Sequence, residues 1–511
     1  MRFQDLPHEI LDCIVSNLPD RDAAHLATQG RALHSICRLP ERKRYGSIRI
    51  LPREESLNFA FEILMEILRR PSLGLLVQRM EYRGVPPWNH GWKMQDAQRE
   101  LDEDSIHRLR AAIDAAGFGG FWEDRILNMV MQKTTIDRST PTRYPEARGI
   151  HMAQAMTLLL ISVSPRLTTM ALTQPFVYHQ PHWTRREMDY DLIHPLSRFL
   201  RRANAQPAEI PFLQNLREVY FINEKKGMAD VDRYYREMDL ITCMGLFNQL
   251  PSMKSVAVDL LWSCTGANHW LQSQKSRISS LKINHACINT EYLSRVMTKC
   301  GSLREFQYST GRRQGHQSDF TFFSRLLLFK ILCEHRETLE TLDVDVEGHI
   351  FDIHQGSMYM EGHERREEEW QLEAEQEDFI RVERTLNPKG IMQTGSLKDF
   401  SALKILRLGI RMLLYFARGV GPVSEEQRDF QLVDCLPENL EYLCILGYDK
   451  GQSRERDMHI ENLMSRFKSG NTRLKEVYGV DETIPSATNI DADLDPDHLW
   501  TLKDLGYDSN Y

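Results

Sequence analysis

The pattern apolar-x-x-apolar-x-apolar recurs along most of the chain. Nine copies are complete, and their first apolar positions are Val77, Leu167, Leu216, Met253, Ile278, Leu303, Leu339, Leu403 and Leu440. From Met253 to Ile278 and from Ile278 to Leu303, the distance between first positions is 25 residues. This length is typical of folds in which each repeat holds one strand and one helix. Because side chains alternate between the two faces of a strand, the pattern predicts short strands with one apolar face turned inward.

The stretch between two of these strands, residues 284–302, shows what one repeat contains. Asn289 predicts the start of a helix and Gly301 its end. One face of this helix is apolar and consists of Tyr292, Leu293, Val296 and Met297. A strand–helix unit cannot bury its apolar face alone, so neighbouring units stack into a curved solenoid. The sequence therefore predicts an α/β fold with parallel strands on the concave face and helices outside.

The position just before the last apolar residue of each strand is predicted to line the concave face. This row consists of Ala171, Tyr220, Ala257, Lys282, Gln307, Asp343, Arg407 and Cys444. The substrate-binding candidates within it are Tyr220, Lys282, Gln307, Asp343 and Arg407. Because the row alternates with buried positions, we expect it to be exposed. Charge reversal at Lys282, Asp343 or Arg407 should then change the free energy of unfolding by no more than about 0.5 kcal/mol.

One repeat has a more specific signature. Residues 287–303, which run from Cys-Ile to Cys-Gly-Ser-Leu, closely resemble the cysteine-containing leucine-rich repeat that accompanies many F-boxes. The resemblance is clear over about 250–345 and looser elsewhere. It implies an irregular leucine-rich-repeat solenoid that binds a protein substrate.

The N-terminus has a different, helical pattern. Residues 5–18 read DLPHEILDCIVSNL, in which Asp5 can cap a helix and Pro7 suits its first turn. The apolar face of this helix consists of Ile10, Leu11, Ile14 and Leu18. A unit of about 40 residues has little core of its own, so this face needs a partner, either in the same chain or in another protein.

Residues 4–50 resemble an F-box, particularly the fungal kind. The resemblance is carried by Leu6, Pro7, Glu9, Ile10, Leu11, Ile14, Leu18, Asp22 and Leu26. It implies a three-helix module that binds a Skp-family adaptor and, through it, a cullin. The adaptor-binding residues would be Leu6, Pro7, Ile10, Leu11, Ile14, Leu18 and Leu26. The chain would then be the substrate-recognition subunit of an SCF-type E3 ubiquitin ligase, with catalysis supplied by its partners.

The chain divides into four segments on this interpretation. They are an F-box-like domain at 1–50, a linker helix within 51–76, a solenoid at 77–480 with insertions at 83–166 and 345–402, and an acidic tail at 481–511. The linker helix is predicted over 54–70, and a charged run at 361–386 predicts a solvated surface helix.

Composition and charge narrow the functional class. The net charge is −8, from 64 basic and 72 acidic residues, which argues against binding nucleic acid through bulk positive charge. The longest uncharged stretch, 149–165, is too short to span a bilayer, so no membrane is expected. The nine cysteines show no C-x-x-C motif and indicate reduced thiols. These features together favour a cytoplasmic or nuclear protein.

Familiar catalytic motifs are missing from the sequence. Phosphate-binding, nucleophile-elbow and dinucleotide-binding signatures do not occur, and neither HERRE at 363–367 nor YHQPHW at 178–183 has a full set of metal ligands. We therefore expect no catalytic residue, metal or cofactor. Two alternatives stay open: a repeat scaffold whose F-box-like segment recruits no ligase, and an enzyme with its site in the 83–166 insertion. Exposure of Leu6, Ile10, Leu11 and Ile14 would favour the receptor, and their burial the scaffold.

Overall fold

A computed structural model provides the structure of the chain. It describes residues 6–7, 10–11, 14–15, 18, 20–52, 54–84, 91–137, 147–176, 194–223, 238–261, 275–286, 288–310, 323–346, 395–419 and 430–486. The charged run at 361–386, the segment 178–183 and all but the first six residues of the acidic tail lie outside the described residues.

The described residues form two compact units. The first contains 6–223 and 243–253, and the second contains 238–242 and 254–486. Four parallel strands belong to the first unit and seven to the second, and helices lie between them in the chain. The chain therefore has an α/β fold with parallel strands, which is compatible with the predicted solenoid.

In the first unit, an N-terminal helical segment, described at Ile10, Leu11, Ile14 and Val15, precedes three short helices. The helices of this unit are α1 (Asp20–Ala27), α2 (Arg31–Cys37), α3 (Leu39–Tyr45), α4 (Glu54–Arg69), α5 (Glu103–Ala115), α6 (Phe121–Met131), α7 (Ala147–Ser162) and α8 (Pro195–Ala205). Its parallel strands are β1 (Ser47–Ile50), β2 (Arg79–Tyr82), β5 (Thr169–Leu172) and β6 (Glu218–Phe221), paired in that order. An antiparallel pair, β3 (Gly91–Gln98) and β4 (Gln132–Asp137), lies within the predicted 83–166 insertion.

The second unit is more regular. Its strands pair in chain order and are β7 (Ser255–Asp259), β8 (Ser280–Ala286), β9 (Glu305–Thr310), β10 (Thr341–Asp345), β11 (Ile405–Gly409), β12 (Tyr442–Leu446) and β13 (Glu476–Tyr478). Its helices are α10 (Thr290–Thr298), α11 (Arg325–Cys333), α12 (Ile410–Arg418) and α13 (Arg454–Lys468). A further short helix, α9 (Leu240–Met244), lies between β6 and β7 in the chain.

The apolar pattern sets the strand register. All nine first positions of the pattern are at most 2% exposed. One residue from each strand then pairs with its equivalent in the next, in the row Val256, Leu281, Phe306, Leu342, Leu406 and Leu443. Every member of this row is fully buried. The prediction of parallel strands with an inward apolar face is confirmed.

The predicted content of one repeat is also confirmed. The Asn289 side chain accepts a hydrogen bond from the backbone N–H of Tyr292 at 2.7 Å, which caps α10 at its predicted start. All four residues of the predicted apolar helix face are buried. Gly301 lies beyond the helix, where its N–H donates to the carbonyl of Ser276 at 3.0 Å. A Cβ here would lie 2.8 Å from that oxygen, so the close approach of two backbones requires glycine.

The end of the predicted F-box-like segment belongs to the sheet. Strand β1 follows α3 almost directly and pairs in parallel with β2, with Ser47 opposite Arg79. Helix α4 was predicted over 54–70. It packs against β1 and α7 and so covers one face of the first strand. No helix in the described ranges combines the length and the apolar character needed to cross a bilayer.

We predict that Leu281→Pro unfolds several repeats, because β8 is paired on both sides and proline removes a ladder hydrogen bond together with a core side chain. Leu281→Ala is the matched control: it keeps the N–H and should lower the free energy of unfolding by about 2–5 kcal/mol. Hydrogen exchange should show reduced protection in β7, β8 and β9 for the proline variant. A reduction confined to β8 would contradict the prediction.

We also predict an acid-sensitive contribution from His335, which is buried and whose Nδ1 accepts a hydrogen bond from the Leu303 N–H at 3.4 Å. Burial, with a smaller effect of Lys275, lowers the pKa of His335 to about 4 from 6.5. As the pH falls, His335 therefore takes up a proton in the unfolded chain before it does so in the folded chain. The neutral His335 side chain therefore contributes about 3 kcal/mol to the free energy of unfolding. This contribution is complete above about pH 6.5 and is lost as the pH falls toward 4.

The variant His335→Asn tests this, because its side-chain oxygen can replace Nδ1 as acceptor but cannot take up a proton. Urea unfolding should show a smaller loss of stability between about pH 7.5 and pH 4.5 for the variant than for the wild type. An equal loss in both proteins would show that another group is responsible.

Candidate functional site

The N-terminal helices enclose a small core. It consists of Leu11, Val15, Ala27, Ile36 and Cys37. These side chains come from the helical N-terminal segment and from α1 and α2, so the segment that carries the predicted adaptor-binding face also supplies part of its own core.

The structure divides the predicted adaptor-binding residues into three groups. Pro7 and Ile10 are exposed, with Ile10 at 48%. Leu11 is buried in the small core. The other four are partly buried, and they are Leu6, Ile14, Leu18 and Leu26. Of these four, Leu6 and Leu26 pack against the core, so an apolar surface that includes Ile10 lies beside it.

A buried arginine holds this module together, which the sequence did not indicate. Arg42 is 5% exposed and donates hydrogen bonds to the carbonyl oxygens of Leu18, at 3.1 Å, and Val15. These carbonyls lie at the end of the N-terminal helical segment, where helices leave carbonyls without internal partners. Arg42 lies in the charged run ERKR, a pattern that normally indicates a solvated helix face, so only the packing identifies its role.

Ion pairs attach α3 to the helix that follows β1. The Arg44 guanidinium contacts the Glu66 carboxylate at 2.8 Å, and the Tyr45 hydroxyl donates to the same carboxylate. Burial and the Glu66 carboxylate raise the pKa of Tyr45 to about 12, so this hydroxyl keeps its proton. Arg70 bonds to Glu41 at 3.1 Å. The module is thereby fixed against α4.

In the second unit, the predicted row lies side by side on the sheet. Ala257 pairs with Lys282, and the register continues through Gln307, Asp343 and Arg407 to Cys444. Buried and partly exposed residues alternate along these strands, as expected of a sheet with one open face. We call this row, Ala257 to Cys444, the outward row.

Tyr220, which was also predicted to be exposed, is buried at 3%. Its neighbours in the register of the first unit, Ala171 and Glu81, are fully buried as well. Three consecutive residues are buried in β6, so this strand is covered on both faces and the alternation that predicted exposure does not apply. Tyr220 is therefore not part of an open surface in this structure.

The charged members of the outward row are paired and only partly exposed. Arg407 Nη1 lies 2.9 Å from one carboxylate oxygen of Asp343 and 3.2 Å from the other. Lys282 Nζ lies 2.8 Å from Glu305 of the next strand. The Asp343 side chain is 20% exposed and that of Arg407 36%. The expectation that these residues are simply exposed was wrong, because long side chains lie flat across neighbouring strands and cover one another.

Partial burial dominates the electrostatics of the pair. Burial raises the pKa of Asp343, and the nearby Arg407 charge offsets this only in part. For Arg407, burial lowers the pKa, but the carboxylates of Asp343 and Asp345 outweigh it and the pKa is raised. The Asp343 carboxylate is thus desolvated and only partly compensated by Arg407, which makes each partner depend on the other.

Apolar side chains also occupy the open face, and the repeat pattern missed them. Ile405 is 42% exposed and Tyr478 is 51% exposed, and Tyr442 pairs with Ile405 in the register. The repeat pattern contains only the inward positions of each strand, so it does not include these residues. Strand parity would have identified Ile405, since it lies two residues before Arg407 and shares its face.

A buried polar ladder closes the ends of the strands. Asp259 pairs in the register with Asn284, and Ser309 with Asp345. His285 follows at a bulge in β8, with a left-handed φ of 50°. Its Nδ1 lies 2.7 Å from Asp259, and its backbone N–H donates to the Ser309 hydroxyl at 3.0 Å. These bonds satisfy polar groups at the strand ends, which is a structural role.

The 83–166 insertion contains an open pocket of about 430 Å³. It is lined by Phe121, Asp124, Arg125, Asn128, Met129, Gln132 and His151. Burial, together with His194 and Arg125, lowers the pKa of His151 to about 4, so its imidazole is neutral at pH 7 and a weak base. The lining residues include no hydroxyl or thiol nucleophile.

We predict that Arg407→Ala lowers the free energy of unfolding at pH 7 by about 1–3 kcal/mol, because it leaves the Asp343 carboxylate partly buried without its cation. The loss should shrink at acidic pH, where a protonated Asp343 needs no cation. Chemical denaturation of both single variants and of the Asp343→Ala/Arg407→Ala double variant should give a coupling energy above about 0.5 kcal/mol. A loss of stability below about 0.5 kcal/mol in Arg407→Ala would show that solvent, and not burial, dominates the environment of the Asp343–Arg407 pair.

Comparison with known proteins adds no relative to this description. No family model, no curated protein and no solved structure matches the chain.

Proposed function

We propose that the chain is the substrate-recognition subunit of an SCF-type ubiquitin ligase, with an F-box-like module that binds a Skp-family adaptor and a leucine-rich-repeat solenoid that binds a protein substrate. On this proposal the chain performs no catalysis itself and works in the cytoplasm or the nucleus. Adaptor and cullin would supply the link to the catalytic subunits.

The observation that carries the proposal is the position of Ile10 and Pro7. Both are exposed, although Leu11 of the same L-P-x-E-I-L sequence lies in the module's own core and Leu6 packs against that core. Burying a side chain the size of isoleucine is favourable by about 1.5–3 kcal/mol, so an exposed Ile10 beside partly buried leucines is a natural contact for another protein.

The attachment of the module supports the same role. A receptor that brings a substrate to a ligase works by proximity, which is helped when the adaptor-binding module is fixed to the part of the chain that follows it. The ion pairs of Glu66 with Arg44 and of Glu41 with Arg70, and the passage of α3 straight into β1, leave little freedom between the module and the first strands of the sheet.

The outward row supports a protein as the substrate. Most of its side chains are polar or charged, and they lie on adjacent strands about 4.8 Å apart, so they present a broad surface and not a closed cavity. Such surfaces bind other chains through many distributed contacts, whereas small-molecule sites are concave and mostly apolar.

A specific observation favours the rival, a repeat scaffold that recruits no ligase. Leu11, one of the predicted adaptor-binding residues, is buried within the module, and Leu6 and Leu26 pack against the same core. If these residues serve only that core, the module needs no external partner. The two proposals therefore differ in the role of Ile10.

We predict that Leu6→Ala/Ile10→Ala weakens binding to a Skp-family adaptor by at least tenfold and leaves the strands of the second unit folded. The reason is that Ile10 is exposed, and truncating a side chain that is important at an interface costs about 1 kcal/mol or more. Binding of the purified full-length chain to a purified adaptor, by calorimetry, measures the first effect. Thermal unfolding measures the second.

Two variants serve as controls. His34→Ala changes an exposed side chain of α2 outside the predicted interface and should leave adaptor binding unchanged. Leu11→Ala empties a core site and should destabilise the module itself, by about 2–5 kcal/mol. If the wild-type chain does not bind the adaptor, the result favours the scaffold. If the double variant binds the adaptor as well as the wild type does, the F-box interpretation of Leu6 and Ile10 is wrong.

A further inference from the structure

Six residues at the C-terminal end of the sheet form a compact surface. They belong to the last three strands, in two rows related by strand register: Ile405, Tyr442 and Glu476 in one row, and Arg407, Cys444 and Tyr478 in the other. Since residues two apart on a strand share a face, all six project from the open face of the sheet. We call these six residues the terminal patch.

The terminal patch has an apolar centre that is open to solvent. Ile405 and Tyr478 are both large apolar residues with exposed side chains, and they lie on opposite sides of β12. Tyr442 and Cys444 lie between them and are partly exposed. Exposed aromatic and aliphatic side chains that lie together usually mark a binding surface, and tyrosine is among the residues that contribute most to binding.

The charges around this centre are unbalanced. Arg407 is paired with Asp343 on one side, and on the other Lys475 Nζ lies 2.6 Å from Glu441 and 5.8 Å from the Tyr442 ring centre. Glu476 is exposed; it accepts a hydrogen bond from the Tyr478 hydroxyl and makes no ion pair within the described part of the chain. One carboxylate beside the apolar centre is thus available to a cation from another molecule.

We infer that the terminal patch binds an extended peptide segment of a partner protein that carries an apolar side chain followed or preceded by a lysine or arginine. The apolar side chain covers Ile405 and Tyr442, and the basic side chain reaches Glu476. This deepens the proposed function, on which it rests for the identity of the partner as a substrate.

Strand geometry sets the spacing within that segment. Ile405 and Glu476 lie two strands apart, which places their backbones about 10 Å from each other. An extended chain advances about 3.3 Å per residue, and a lysine or arginine side chain adds several ångströms of reach. The basic residue therefore lies about two to four positions from the apolar one.

The test is selection from a displayed library of random peptides of about 12 residues, which span about 40 Å when extended. The target is the full-length chain, and selected peptides are then synthesised and their affinity measured by fluorescence anisotropy. We expect the selected peptides to combine an apolar residue with a lysine or arginine at the stated spacing. Ile405→Ser/Tyr478→Ser and, separately, Glu476→Lys should each lower their affinity at least tenfold.

Met458→Ser is the matched control, because Met458 is as exposed as Tyr478 but lies on α13 and not on the sheet face. This variant should bind the selected peptides like the wild type. All variants change exposed side chains, so their thermal unfolding should stay close to that of the wild type. If Ile405→Ser/Tyr478→Ser is nevertheless less stable, Glu476→Lys still tests the inference independently.

The inference would be overturned by the absence of any selected peptide, by selected peptides without a basic residue, or by equal affinity for wild type and the terminal-patch variants. A concentration-dependent dimer that Tyr478→Ser abolishes would also overturn it, since a second copy would then occupy the patch. Adaptor binding, measured on the same variants, should be unchanged by these substitutions; failure of the wild type to bind the adaptor would refute the ligase proposal and leave the peptide site intact.

Discussion

The structure of the second unit depends on one constraint: each strand must bury one apolar residue against its equivalents in the neighbouring strands. Leu281, Phe306, Leu342, Leu406 and Leu443 form this row, and each is fully buried. Burying such a side chain is favourable by about 1.5–3 kcal/mol, and a strand that slipped by one residue would turn it to solvent. Connections of very different length are therefore compatible with the same register, as the 25-residue and 64-residue steps show.

The same constraint determines what can lie on the open face. Once the inward positions are fixed, every second residue between them must face outward, whatever its chemistry. On this face Arg407 and Asp343 neutralise each other across adjacent strands, and Ile405, Tyr442 and Tyr478 remain partly open to solvent. The open face is thus a mixed surface with an apolar end.

At the N-terminus a different interaction is decisive. The three short helices have a core of only a few side chains, and the buried Arg42 ties the carbonyl ends of the N-terminal helical segment to α3. Helix α3 is in turn held to α4 through Glu66. The small module is therefore stabilised in part by the helix that packs against the first strands, and Ile10 stays exposed on its surface.

The sequence by itself determined the strands, their inward residues, the cap at Asn289 and the helix at 54–69, because each follows from local periodicity or from a side chain that bonds its own backbone. It also placed Lys282, Gln307, Asp343 and Arg407 in one row. Only the tertiary structure decided how exposed each site residue is. Burial depends on what covers the second face of a strand and on which long side chains meet across it, so Tyr220 is buried, Arg407 is paired and Ile405 is open, although periodicity treats such positions alike.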